Sequence, residues 1–180
     1  EFRRVLFRSM KRRRKGSIVF VASQAAQVGL YGFTTYSATK FAIRGLSEAL
    51  QMEVKPYGIN VSVFYPPDTN TPGFEKENIR KPEATRLMSE TSGLMQPDAV
   101  ATAMMKGIEA GDFTIWANFD GWMLAQLTSG FAPANGWWNG FYQVLLLPLF
   151  RMIALAYLAS FNAIANKCCN KESGKEKAKR

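Results

Sequence analysis

Apolar residues along the chain change their spacing several times, and each change predicts an element. GSIVFVAS, residues 16–23, is a short β-branched run opened by glycine. That pattern predicts a strand buried on both faces. A small-residue loop, QAAQVGLYGF, separates it from TTYSATKFAIRGLSEALQMEVKPYG. There the apolar residues recur at helical intervals, at Phe41, Leu46, Leu50 and Val54. Thr34 or Thr35 is placed to cap this helix, and Pro56 and Gly58 to stop it. INVSVFYPP follows as a second buried strand. Strand, helix and strand with short connections make a βαβ unit, hence a parallel sheet and an α/β fold.

PEATRLMSE and PDAVATAMMKGIEAG predict two more helices, the second opened by Pro97 with Asp98 in its first turn. DFTIWAN predicts a short strand, and no internal repeat is present. Residues 141–165 are almost wholly apolar, broken by Arg151 and Pro148. The run reaches the ~20 residues that span a bilayer. An arginine near its middle would cost ~2.5 kcal/mol or more there. A kinked, interfacial or re-entrant helix at a membrane surface therefore fits better than a clean span. Trp137, Trp138 and Tyr142 before the run, and lysines after it on the cytosolic side, suit such a surface. The alternative is a helix packed on a partner subunit.

Charge refines this picture. Of the net +9, residues 1–9 supply +2, residues 11–15 supply +5 and residues 167–180 supply +4. The body, 16–166, holds nine basic and eleven acidic residues, which argues against nucleic acid as a partner. KRRRK at 11–15 reads as a solvated loop before the first strand, with a localisation signal as the alternative. EFRRVLFRS, residues 1–9, resembles the translation of a sequencing adapter and is set aside from fold reasoning. The organisation expected is 1–9 as that artefact, 10–135 as a catalytic part, 136–166 as a hydrophobic membrane-associated segment, and 167–180 as a basic flexible tail.

The chain has no histidine and two adjacent cysteines, Cys168 and Cys169. A zinc site and a disulfide framework lack ligands and partners. Ser-His-Asp and Cys-His catalysis are excluded within this chain. Cys168 and Cys169, between the apolar run and lysines, are positioned for acylation, though plain thiols are the simpler reading. Acid–base chemistry falls to tyrosine, lysine or carboxylates. Tyr36 and Lys40 lie four apart on one face of the long predicted helix, and Ser23 closes the first strand thirteen residues earlier. Strand ends and helix starts meet at the ligand-binding edge of an open α/β sheet.

A serine after an apolar strand, followed by YSATK, resembles the Tyr-x-x-x-Lys signature of the short-chain dehydrogenases/reductases, over about residues 16–115. The resemblance implies the C-terminal part of a Rossmann-like doubly wound parallel sheet, followed by the hydrophobic helical tail. It implies Ser23, Tyr36 and Lys40 as the catalytic residues. Tyr36 would give its proton to a ketone oxygen, Ser23 would hold that oxygen, and the Lys40 ammonium would stabilise the phenolate left behind. It further implies a cofactor-binding set of Tyr36, Lys40, Pro66, Pro67 and Thr71. Lys40 would bind the nicotinamide ribose. Pro66 and Pro67, the latter where the family has glycine, would form a rigid shelf against the nicotinamide. Thr71 would take the carboxamide, and the loop through Pro72, Gly73 and Phe74 would form part of a lid.

The cofactor implied is NADPH, by likeness and not by any residue of this chain. The partners implied are a long-chain 3-keto lipid substrate, the membrane surface, and a second copy bound through the helix carrying Tyr36 and Lys40. The place implied is the endoplasmic reticulum membrane, with the catalytic part facing the cytosol. The family's glycine-rich phosphate turn and the asparagine that completes its catalytic set would precede residue 10, and no G-x-G-x-x-G follows a strand here. The expectation is a C-terminal half that binds NADPH poorly alone. Two alternatives stand beside this: a steroid or retinol dehydrogenase of the same family, and a silent membrane-binding or dimerisation module that uses the apolar face of residues 41–54.

Overall fold

The computed structural model describes residues 2–177, with side chains for 6–171. Three parallel strands form one sheet in the order β1 (Gly16–Val21), β2 (Ile59–Phe64), β3 (Thr114–Ile115). Gly16 pairs with Ile59 and Val21 with Phe64, while Val63 and Phe64 pair with Thr114 and Ile115. The βαβ unit is thus present, crossed over by α2 (Thr34–Val54). Two of the remaining expected elements also form, α4 (Glu83–Ser89) and α5 (Pro97–Ala110), with Pro97 in the first turn of α5.

β2 is central, and five of its six residues are buried, the signature of a strand covered on both faces. β1 departs from the expectation of full burial. It is the sheet edge, no strand pairs its outer side among the described residues, and Val21 is 54 % exposed. The core joins Val54, Ile59, Val61, Val63 and Phe113, with Ile43 and Leu50 of α2 packed on it. Phe41 and Leu46, one step around the same helix, stay exposed.

α2 starts without a side-chain cap: Phe33, not a threonine, holds the capping position. The helix ends at Val54, and a single turn, Lys55–Tyr57, closes on Gly58 at φ 64°. Only glycine is at ease there, and a Cβ at Gly58 would also meet the Arg14 carbonyl oxygen at 2.5 Å. Residues 2–9 are helical within α1 (Phe2–Arg13), and Phe7 and Met10, three apart, pack on the core. The basic run expected as a loop therefore begins as the last turn of this helix.

Two further helices were not anticipated, α3 (Pro72–Asn78) and α6 (Phe119–Leu127). The apolar third is a single helix, α7 (Trp137–Lys177), with Pro148 inside it. The basic end expected as a tail continues this helix as far as Lys177. One stripe of α7 faces the domain: Asn139 bonds Gln126, Phe150 meets the Trp122 ring edge-on, and Phe161 packs beside Ala84 and Met88. These positions repeat every eleven residues, three helical turns, so they share one side. Cys168 is buried on the same cluster, Cys169 is exposed, and Lys171 pairs with Glu83 at 3.1 Å. The opposite side is bare, with Val144 79 % and Met152 67 % exposed.

Candidate active site

Past the end of β1 the chain stays beside β2. The Ala22 N–H donates to the Phe64 carbonyl at 2.8 Å, and the Gln24 N–H to the Pro66 carbonyl at 3.2 Å. Ser23 is thereby fixed at the carboxyl edge of the sheet. Its extended backbone opens the turn Gln24–Ala26, and its Oγ accepts from the Ala25 N–H at 3.2 Å. Accepting that bond leaves the hydroxyl proton free to donate.

A cavity of about 480 Å³ begins at this edge. Ser23, Pro66 and Pro67 are part of its wall, α6 contributes Met123 and Leu124, and α7 contributes Leu147, Tyr157 and Phe161. Its size and apolar lining with a few polar groups are those of a small-molecule site. Arg151 lies on its α7 wall and is exposed, so the charge that argued against a clean span faces this opening.

Tyr36 and Lys40 stand together on the first turns of α2, with the Lys40 Nζ 5.5 Å from the Tyr36 ring centroid. Neither lines the cavity. Their connection to it is Phe33, a wall residue whose ring lies 5.2 Å from that of Tyr36. Tyr36 is 39 % exposed.

Thr71 also lies outside the cavity wall. Its hydroxyl caps α3, accepting from the Phe74 N–H at 3.2 Å, so the stretch expected as a lid loop is helical from Pro72 onward. Thr71, Pro72 and Glu75 are a legible helix start, with a capping hydroxyl, proline in the first turn and an acid beside it. The segment between Pro67 and Thr71 is tied down too, since Asn70 and Met95 exchange backbone bonds with Met95 and Asp68.

The structure adds groups that the sequence did not single out. Lys81 has a side chain only 1 % exposed, set between the Phe33 and Phe74 rings and paired with Asp68 at 3.5 Å and Glu77 at 3.4 Å. Arg44 ties α2 to the end of α6 by donating to the Thr128 and Ser129 carbonyls and pairing with Glu48 at 2.8 Å. Tyr65, buried just before the two prolines, has its phenol pushed up to about 12 by desolvation; Arg44 pulls the other way and Glu48 adds to the rise.

Residues 2–82 match the sequence profile described as short chain dehydrogenase. Curated relatives match most of the chain. The chain is 53 % identical over 165 residues to the 3-ketodihydrosphingosine reductase of Bos taurus, covering 92 % of this chain and 50 % of that protein. The chain belongs to the short-chain dehydrogenase family.

Other members of that family agree. The 3-dehydrosphinganine reductase of Danio rerio is 53 % identical over the same share of each chain. The 3-dehydrosphinganine reductase TSC10A of Arabidopsis thaliana is 45 % identical over 150 residues, 83 % of this chain and 46 % of that one. The chain spans about half the length of the curated relatives it matches. Among solved structures, a short-chain dehydrogenase from Burkholderia cenocepacia in complex with NADP superposes at TM-score 0.55 with 20 % identity, over 71 % of this chain and 48 % of that one. One from Streptomyces avermitilis superposes at 0.53 with 23 % identity, over 91 % and 56 %. These establish the fold, a Rossmann-like parallel sheet with helices.

The family's nicotinamide cofactor can be tested against the donors present in this short-chain dehydrogenase. Pro66, Pro67 and Thr71 follow the carboxyl end of β2 and offer a rigid apolar face and a hydroxyl, while the Lys40 ammonium stands on the first turns of α2 beside Tyr36. As residue types, a cation, a hydroxyl and a flat apolar face suit a ribose, a carboxamide and a nicotinamide ring.

Proposed function

We propose that the protein carrying this chain is an NADPH-dependent reductase that converts 3-ketodihydrosphingosine to dihydrosphingosine. The observation that carries this reading is the cavity. A hydroxyl donor, Ser23, lines a largely apolar space that α6 and α7 also wall. That arrangement suits a polar ketone head on a hydrocarbon chain. The names of the curated relatives support the substrate, and the solved short-chain dehydrogenases in complex with NADPH or NADP support the cofactor.

In this reading Lys40, Thr71, Pro66 and Pro67 would hold the nicotinamide end of the cofactor, which would supply hydride to the ketone carbon. Ser23 donates a hydrogen bond to the ketone oxygen and steadies the charge that grows there. Tyr36 transfers its phenolic proton to that oxygen, and the Lys40 ammonium stabilises the phenolate until solvent returns the proton. The carbonyl is placed at Ser23, and Phe33, the wall residue in contact with Tyr36, lies between the cavity and the phenol. The exposure of Tyr36 suits its reprotonation from water.

α7 is read as lying along a membrane surface. Trp137–Lys171 is long and apolar enough to cross a bilayer, yet only 6 % of its most apolar window is buried. Its domain-facing contacts are spread from Asn139 to Lys171, a length of roughly 50 Å at 1.5 Å per residue. A helix docked along that length holds the domain against lipid by its bare side. The exposed Phe41, Leu46 and Met52 of α2 favour, as a second feature, pairing with another copy of the chain.

The test is product analysis with the full-length protein. NADPH and 3-ketodihydrosphingosine should give dihydrosphingosine by mass spectrometry, while a steroid ketone and retinal should give little. Turnover of the steroid or retinoid with none of the lipid would reject the substrate assignment.

A further inference from the structure

We propose that Asp120, with Gln27, forms a subsite for a cationic amino group next to the reacting ketone. This deepens the reductase reading and rests on it.

The starting point is which polar groups of the cavity are already satisfied. Asp68 is paired with buried Lys81. Thr91 and Thr128 donate to the Met88 and Leu124 carbonyls. Among the remaining polar wall residues, two carry strong acceptors, Gln27 and Asp120. Gln27 is 7 % exposed, and its Oε1 is buried with no hydrogen-bond partner among the described residues. Asp120 also lines the cavity and makes no hydrogen bond or ion pair among the described residues. Leaving a buried acceptor unpaired costs ~1–3 kcal/mol. That cost falls on the Gln27 oxygen, while Asp120 is half-buried. Both groups are acceptors, so the ligand that suits them brings N–H donors, and the carboxylate asks for positive charge. Among the described residues the only cationic one of the wall, Arg151, is exposed on α7 and forms no ion pair with Asp120.

Position strengthens the chemistry. Asp120 sits in the first turn of α6, where the helix dipole favours an acid. The dipole explains an acid in that turn but not the orphaned Gln27 oxygen. That turn is anchored beside Ser23. Asn118 Oδ1 accepts from the Gly121 N–H at 2.8 Å and from Gln24 Nε2 at 3.2 Å, and Gln24 is the residue after Ser23. A Cβ at Gly121 would meet Asn118 Oδ1 and Gln24 Nε2, both at 3.0 Å, so glycine permits the close approach. A ketone bonded to Ser23 therefore presents its neighbouring carbon toward α6. An ammonium on that carbon meets Asp120, and Gln27 supplies a second acceptor.

The experiment compares two substrates in the full-length protein: the amino ketone 3-ketodihydrosphingosine, and the same chain with hydrogen in place of the amino group. The unsubstituted protein should favour the amino ketone. Asp120→Asn should lower the ratio of kcat/KM between the two by roughly 10- to 100-fold, the effect of one hydrogen bond to a charged group, mainly through KM. Asp120→Glu should restore part of it. Without any substitution, a long-chain primary amine should inhibit at least about tenfold more strongly than the alcohol of equal length, by the same bond. An unchanged ratio in Asp120→Asn, or equal inhibition by amine and alcohol, overturns the subsite while leaving the reductase reading intact. Failure of the unsubstituted protein to reduce either ketone removes that reading, and the subsite with it.

Discussion

The Lys40 ammonium lies 5.5 Å from the centre of the Tyr36 ring, on the same side of α2 and one helical turn along. A cation held over an aromatic face by a four-residue spacing is preset to meet negative charge on that ring. The pair is built into a single helix and needs no other element to bring it together.

Replacing Tyr36 with Phe removes the phenolic proton, the donor in the proposed reaction, and little else. Turnover of the ketone by the full-length protein should fall by about 100-fold or more. Thermal unfolding should stay within about 0.5 kcal/mol, because the ring is 39 % exposed and keeps its Phe33 contact. Loss of turnover that tracks loss of folded protein by circular dichroism would contradict the assignment.

Arg44→Ala should act through stability. It deletes the bonds to the Thr128 and Ser129 carbonyls and the Glu48 pair, and its side chain is only 16 % exposed. A loss of roughly 1.5–3 kcal/mol is expected, measured as a lower urea midpoint with an unchanged slope. Glu48→Gln should cost less, since one of the three bonds is weakened and the two to α6 remain.

Tyr65 gives a pH signature. Burial raises its phenol from 10.0 to about 12 in the folded chain. Below pH 10 the phenol is neutral in both states and its stabilising contribution is complete. Above pH 10 the unfolded chain loses this proton first, so stability falls as pH climbs from about 10 to 12. Urea midpoints at pH 9, 10 and 11 should decline less steeply in Tyr65→Phe. Identical slopes for the two proteins would show that another group governs the alkaline transition.

The sheet and its crossover helix were legible because each is local. β1 and β2 are β-branched runs, and α2 carries its own stripe and stop signals. β1 was misread as doubly covered because strand composition reports apolarity and not edge position. α3 was hidden by Pro72 and Gly73, which read as loop punctuation even though Thr71 and Pro72 make a good helix start. α6 was missed because its apolar residues follow no stripe: Gly121, Met123, Ala125 and Gln126 are all buried. Tyr36, Lys40 and Ser23 stood out by spacing, whereas the cavity did not. Its walls are drawn from Gln27, Asp120 and Arg151, which only folding brings near one another.

The greasy C-terminal helix is an obvious candidate for deletion when a soluble enzyme is wanted. Six of its side chains, Leu147, Arg151, Ala154, Tyr157, Leu158 and Phe161, are also a wall of the ligand chamber. Trimming it would trade precipitation for an open-sided pocket, and detergents that compete for that helix would interfere with catalysis before they unfold anything.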